Sequence, residues 1–303
     1  MNFYVGIKSD PIEYRYTFPW LFELLDELDI RYMQLGSFFE LYTVEDDFFL
    51  DLKEQAESKG IRIKSCFTSH RELGGFLSGS RPLIKAARQN YERYIQAASL
   101  LGADYIGSSM GSVFRDRMEF KLQGIDIYLS HMKELMHLAR EKRLKGLTME
   151  LMSCTAEPPS TPEEIDYVFG ELETYHREHK ESTVPVYLCG DISHGLADRN
   201  GKVVHSNMEL FEYSIPRMAE FHFKNTDELF NSTFGFSKEK QARGIVDLGE
   251  VMDTVWKNEN RWPVEEVVGY YETLGPKLGR DYSDYLLRDE LETSLKELKR
   301  AAG

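Results

Sequence analysis

Eight short apolar runs, each followed by a helical pattern, set the tightest limit on how this chain can fold. The runs are FYVGI (3–7), YMQLGS (32–37), IRIKSCFT (61–68), DYIGSSM (104–110), GLTMELM (146–152), VPVYLCGD (184–191), AEFHFKN (219–225) and EEVVGYY (265–271). Helical spacing fills the gaps, with stop signals at Gly60, Gly102 and Gly146. Thr161, Pro162 and Glu164 form a helix start, since Thr caps, Pro suits the first turn and Glu reaches back. Shorter helical patterns lie at 205–216 and 247–258, and a long one closes the chain. Most runs are apolar throughout, as strands buried on both faces must be. The alternation predicts parallel βαβ units that close on themselves: an α/β (β/α)8 TIM barrel, one domain over 1–303. A doubly wound open sheet is the main competitor. The longest connection, from about Thr226 to Val246, reads as a structureless and therefore functional or mobile loop.

Composition narrows the class. At 303 residues and 42% hydrophobic, the chain can bury one large core. No apolar run approaches the roughly 20 residues needed to span a bilayer. MNFYVGIKSD runs straight into a strand pattern and lacks the features of a signal peptide, so a cytoplasmic location is expected. Cys66, Cys154 and Cys189 are far apart, which argues against disulfides or a structural zinc site. A net charge of −14 repels phosphate backbones, so nucleic acid is an unsuitable partner. GGFLSGS lacks the Lys-Ser/Thr ending of a phosphate-binding loop.

Polar residues stand where the barrel reading puts chemistry. Side chains at the C-terminal ends of barrel strands point into the mouth. The fifth strand ends in Glu150, the sixth in Asp191 with His194 beyond it. The seventh carries His222, and the eighth ends in Glu272. Period-two alternation groups Thr148 with Glu150, Tyr187 with Cys189 and Asp191, and Tyr270 with Glu272. It also groups Glu220, His222 and Lys224. Taken singly, each has an ordinary explanation: a rim glutamate, a hydrogen-bonded core histidine, an Asp capping a turn. Four such groups at equivalent points of consecutive units instead predict a divalent-metal site made of Glu150, Asp191, His222 and Glu272. Three carboxylates and one imidazole suit Mn²⁺ first, with Mg²⁺, Co²⁺ or Zn²⁺ as alternatives.

Other residues are secondary candidates for contacting a substrate. His70 follows the third strand. Lys224 shares the His222 face, and Arg243 follows the long loop and can reach an anion if that loop closes. Arg115 and Arg117 follow the fourth strand and equally suit a solvated loop. Phe38 or Phe39 could wall a pocket at the mouth.

The ordered set Glu150, Asp191-x-x-His194, His222, Glu272 resembles the xylose-isomerase-like sugar phosphate isomerase/epimerase superfamily, which holds D-tagatose 3-epimerase. The resemblance covers nearly the whole chain. RGIVDLGEV (243–251) is similar to the family's segment after the seventh strand. The resemblance implies that the four residues bind one divalent metal, that Glu150 and Glu272 are ligand and base together, and that His194 contacts substrate. Family epimerases often carry a substrate-binding Glu six residues after the first ligand. Here Ala156 holds that position, and Glu157 is the nearest acid. A dimer or tetramer is also implied.

The expected reaction is proton transfer next to the carbonyl of a ketose or ketose phosphate, through an enediolate stabilised by the metal. Glu150 and Glu272 would act on opposite faces of the sugar in an epimerisation, or one of them would move a proton between adjacent carbons in an isomerisation. An inosose-dehydratase-like elimination starts from the same enediolate. A phosphodiester hydrolase, as in apurinic-site endonucleases, needs more histidines and a basic groove. A metal-holding protein without turnover would have no use for opposed bases.

Overall fold

The computed structural model describes residues 1–13, 15–36, 39–68, 72–273 and 285–303. Its strands in chain order are β1 (Asn2–Lys8), β2 (Tyr32–Leu35), β3 (Arg62–Thr68), β4 (Tyr105–Ser108) and β5 (Gly146–Glu150). β6 (Val186–Asp191), β7 (Leu196–Ala197), β8 (Val203–His205), β9 (Met218–Phe223) and β10 (Glu266–Tyr271) follow. Eight of them close a barrel in the order β1-β10-β9-β6-β5-β4-β3-β2, and every pairing within it is parallel. These eight are the eight expected runs, and the fold is the expected (β/α)8 barrel. β7 and β8 form a small antiparallel hairpin after β6 that the apolar pattern does not announce.

The helices are α1 (Phe18–Glu27), α2 (Asp46–Ser58), α3 (Arg81–Leu101), α4 (Lys121–Glu141) and α5 (Pro162–Glu178). α6 (Asn207–Ser214), α7 (Lys238–Gln241), α8 (Leu248–Lys257) and α9 (Leu287–Ala302) complete the ring. Their starts follow local chemistry. The Thr17 and Thr161 hydroxyls accept from Trp20 N and Glu164 N, so one otherwise orphaned amide is satisfied at each end. Ser206 and Glu209 form a reciprocal capping box. No helix among the described residues is long and apolar enough to cross a membrane.

Alternation along β9 shows how the barrel sorts its side chains. Phe221 and Phe223 face the helices, and Phe221 meets Phe211 of α6 edge-on at 5.1 Å between centroids. Glu220 and His222 therefore face inward. The interior is crowded enough to dictate glycine at position 107. A Cβ there would fall 2.0 Å from Thr148 Oγ1 and 2.6 Å from the Phe67 ring. That vacancy lets Phe67 point into the barrel, where its ring lies edge-on to His222 at 5.4 Å.

The 226–246 connection is built, not structureless. Asn225 pairs with Phe234 in an antiparallel bridge, and α7 occupies four of its residues. Asp227 Oδ1 accepts from the amides of Leu229 and Asn231 at 3.0 Å each, which tightens the turn between them.

Candidate metal centre and active site

The closed barrel brings Glu150, Asp191, His222 and Glu272 together at the C-terminal mouth. Each offers one donor atom, and the four atoms all lie within 4.8 Å of one another. Glu150 and Asp191 are the last residues of β5 and β6, and Glu272 follows β10 directly. Glu272 is held in place by its amide, which donates to Phe223 O at 3.0 Å. Register places Asp191 beside His222, so the two side chains rise from one level of the barrel.

His222 is the hub. It is fully buried, and its Nδ1 lies 3.1 Å from both Glu150 Oε1 and Glu272 Oε2. Burial pulls its pKa down, while Cys189, Glu272 and Glu150 pull it up, and the balance lies well above the ordinary histidine value. Burial raises the Glu150 carboxyl, but the hydrogen bond and charge of His222 outweigh it and hold the group down at about 2. Glu272 is likewise penalised by burial, yet Lys224, Lys8 and His222 keep it well below the usual range.

Asp191 is oriented by its own turn. Oδ1 accepts from Ser193 N and Ser193 Oγ at 2.7 Å each. Oδ2 is buried and faces the Lys224 ammonium at 2.6 Å, a charged donor that forms an ion pair with it. Three carboxylates and an imidazole, each offering one donor atom close to the other three, fit a divalent cation.

His194 stands at the edge of this cluster. Its Nδ1 is 2.6 Å from the Leu151 carbonyl, which only accepts, so Nδ1 carries the hydrogen. Nε2 then faces Lys224 Nζ at 3.2 Å and Asp191 Oδ2 at 3.4 Å. The neighbouring Gly195 is covered by the Phe230 ring, and a Cβ at position 195 would fall 2.2 Å from it. Phe230 itself adopts φ 62°, a conformation disfavoured for a bulky residue and retained beside the site.

Lys224 points into the mouth as the alternation predicts, 3.4 Å from Glu272 Oε2. Burial disfavours its charge, but Asp191, Glu272 and Glu150 more than offset this and raise its pKa. Arg243 is exposed and stacks over Phe234 at 4.6 Å, with no hydrogen bond or ion pair to the cluster among the described residues. Glu157 lies 3.9 Å from Arg115. Arg117 pairs with Glu119 at 3.1 Å. His70 and Phe38 lie outside the described residues, and Phe39 opens a short 3-10 helix.

Two residues of this centre were not singled out from the sequence. Lys8 ends β1 and lies 2.9 Å from Asp10 Oδ2 and 3.0 Å from Glu272 Oε1. Burial opposes its charge, but Asp10, Glu272 and Glu150 hold its pKa well above the ordinary lysine value. Gln34, buried in β2, places Oε1 2.8 Å from His222 Nε2. The strand-end rule that selected Glu150 also fits Lys8, and a lone amide inside an apolar run was the signal for Gln34.

The closed parallel barrel is a fold that this chain shares with solved proteins named as xylose isomerases and sugar epimerases. The particular likenesses are to solved structures: no protein-family model and no curated protein matches the chain. A xylose-isomerase-like protein of Rhodospirillum rubrum is similar over 100% of both chains, at 19% identity and TM-score 0.78. The D-psicose 3-epimerase of Clostridium cellulolyticum H10, solved with D-tagatose, is similar over 100% of this chain and 99% of that one, at 14% identity and TM-score 0.70. A Bacillus anthracis protein assigned as a 3-DHS dehydratase is similar over 98% of each, at 13% identity and TM-score 0.67. At these identities the likeness establishes the fold, and the chemistry rests on the residues above.

Proposed function

We propose that the protein is a divalent-metal-dependent epimerase or isomerase of a ketose or ketose phosphate. One observation carries this reading. Glu150 and Glu272, from strands separated by β6 and β9, both reach the same nitrogen of His222 at 3.1 Å, and Asp191 completes a cluster whose donor atoms lie within 4.8 Å of one another. Glu150, Asp191, His222 and Glu272 would hold the ion. When bound, it supplies stabilisation of the negative charge that develops on substrate oxygens as the proton leaves.

The remaining work falls to side chains. Glu150 and Glu272 are ionised at neutral pH, so either can take the proton next to the carbonyl. In an epimerisation the other carboxylate first takes a proton from solvent and then delivers it to the opposite face, so that one proton enters as one leaves. In an isomerisation one carboxyl carries it to the adjacent carbon. His194, with its hydrogen on Nδ1, accepts from a substrate hydroxyl at Nε2. Lys224 donates to a substrate oxygen, and Lys8 restrains Glu272 from the other side.

Lys224 also favours a second reading. An ammonium beside the reacting carbons can protonate a departing hydroxyl, which turns the same proton abstraction into a dehydration. A structural neighbour assigned as a dehydratase has the same fold.

Deuterium wash-in tests both. The protein is loaded with Mn²⁺ and incubated in D₂O with ketoses and ketose phosphates, and carbon-bound exchange is followed by NMR. Metal-dependent exchange that disappears in Glu150→Gln and Glu272→Gln supports the proposal, and the labelled carbon identifies the reaction. Loss of a hydroxyl with growth of enone absorbance would favour dehydration. Absence of exchange with every sugar, from protein that holds metal, would sink both readings.

A further inference from the structure

We infer that Gln34 is a positioning residue that commits His222 to binding metal through Nδ1. It does so through a one-way chain of hydrogen bonds across the barrel interior. The inference rests on reading Glu150, Asp191, His222 and Glu272 as a metal centre. It adds a residue on the opposite side of the barrel that would touch neither ion nor substrate.

The chain can be followed link by link. His222 Nε2 lies 2.8 Å from Gln34 Oε1. Gln34 Nε2 lies 3.4 Å from Ser65 Oγ, and Ser65 Oγ lies 2.9 Å from Glu220 Oε1. Thr148 Oγ1 donates to the same Glu220 oxygen at 3.1 Å. Gln34, Ser65, Thr148, Glu220 and His222 are all at most 1% exposed, so water does not take the place of a missing partner.

The direction of donation follows from the ends. Glu220 Oε1 accepts from two hydroxyls, so Ser65 spends its one hydrogen there. Ser65 therefore offers only lone pairs to Gln34, and the amide must present its NH₂ to Ser65 and its oxygen to His222. A carbonyl-type oxygen facing Nε2 requires a hydrogen on that nitrogen. In neutral His222 the lone pair then sits on Nδ1, the nitrogen 3.1 Å from Glu150 Oε1 and Glu272 Oε2. The Cys189 thiol, 3.4 Å from Nε2, accepts weakly from it when its own S–H turns to Gly190 O at 4.0 Å. Phe67, edge-on to the ring, limits its rotation. Partners of this kind around a ligating histidine typically change metal affinity by about 10- to 100-fold when removed.

The test measures metal binding and ring state, not turnover. Zn²⁺, which is diamagnetic, is titrated into the full chain by calorimetry, and the His222 ring nitrogens are followed by ¹⁵N NMR. In the wild-type protein the hydrogen should remain on Nε2 and the Nδ1 resonance should shift with metal. Gln34→Leu is expected to weaken Zn²⁺ binding about 10- to 100-fold. The inference is overturned if Zn²⁺ shifts Nε2 instead. It is also overturned if folded Gln34→Leu binds as tightly as wild type. The wild-type spectrum decides the matter even if Gln34→Leu does not fold. Wild-type protein that binds no divalent metal would instead sink the metal centre itself, a separate and recognisable failure.

Discussion

Ser193 grips one oxygen of Asp191 twice, through its amide and its hydroxyl at 2.7 Å each, and leaves the other oxygen to the cation site. Asp191→Asn keeps the shape but lowers the charge and offers an NH₂ to the site. It is expected to weaken Mn²⁺ binding on the order of a hundredfold, with Ser193→Ala costing less, about tenfold. Calorimetric titration of the three proteins checks this. An Asn variant that binds Mn²⁺ like wild type would remove Asp191 from the ligand set.

Lys224 competes electrostatically with any bound cation, being 2.6 Å from Asp191 Oδ2. A unit charge about 4 Å away in a water-like dielectric is worth about 1 kcal/mol. Lys224→Met is therefore expected to tighten Mn²⁺ binding roughly fivefold. The same change should raise KM in any assay that shows turnover, because a donor to substrate is lost. Unchanged metal affinity together with unchanged KM would show that Lys224 acts on neither.

Glu220 gives stability a pH signature. Burial raises its carboxyl, and the hydrogen bonds from Ser65 and Thr148 only partly oppose this, leaving it at about 7. The unfolded carboxyl titrates near 4.3, so the folded state binds the proton more tightly. Stability is thus lost as pH rises from about 4 to about 7, and the loss persists above that. Glu220→Gln keeps an oxygen for both hydroxyls and removes the titration. It should match wild type near pH 4 and exceed it by about 3 kcal/mol at pH 8. Chemical denaturation at several pH values would refute this if the two curves ran parallel.

Gly107→Ala tests the packing that places the hub. The added methyl meets Thr148 Oγ1 and the Phe67 ring inside contact distance. Overpacking of this kind costs about 1–3 kcal/mol. Calorimetry should record the lower Tm, and metal affinity should fall with it because Phe67 abuts His222. A variant as stable as wild type would mean that the interior yields more easily than its contacts imply.

The sequence by itself determined the eight strand-helix units and the level at which chemistry stands on them. Period-two alternation is local, so Glu150, Asp191, His222 and Lys224 could be assigned to inward faces without knowing their neighbours. Arg243 was selected because it follows the long loop, and that connection folds into a bridge and a short helix with Arg243 stacked on Phe234. Glu157 was carried over from a family pattern and pairs with Arg115. Only the tertiary structure decided which strands became neighbours across the barrel. Gln34 and His222 are 188 residues apart, and Lys8 and Glu272 are 264 apart. Closing the barrel brings such pairs within hydrogen-bond distance, whereas periodicity records the face a residue occupies and carries no information about what stands opposite.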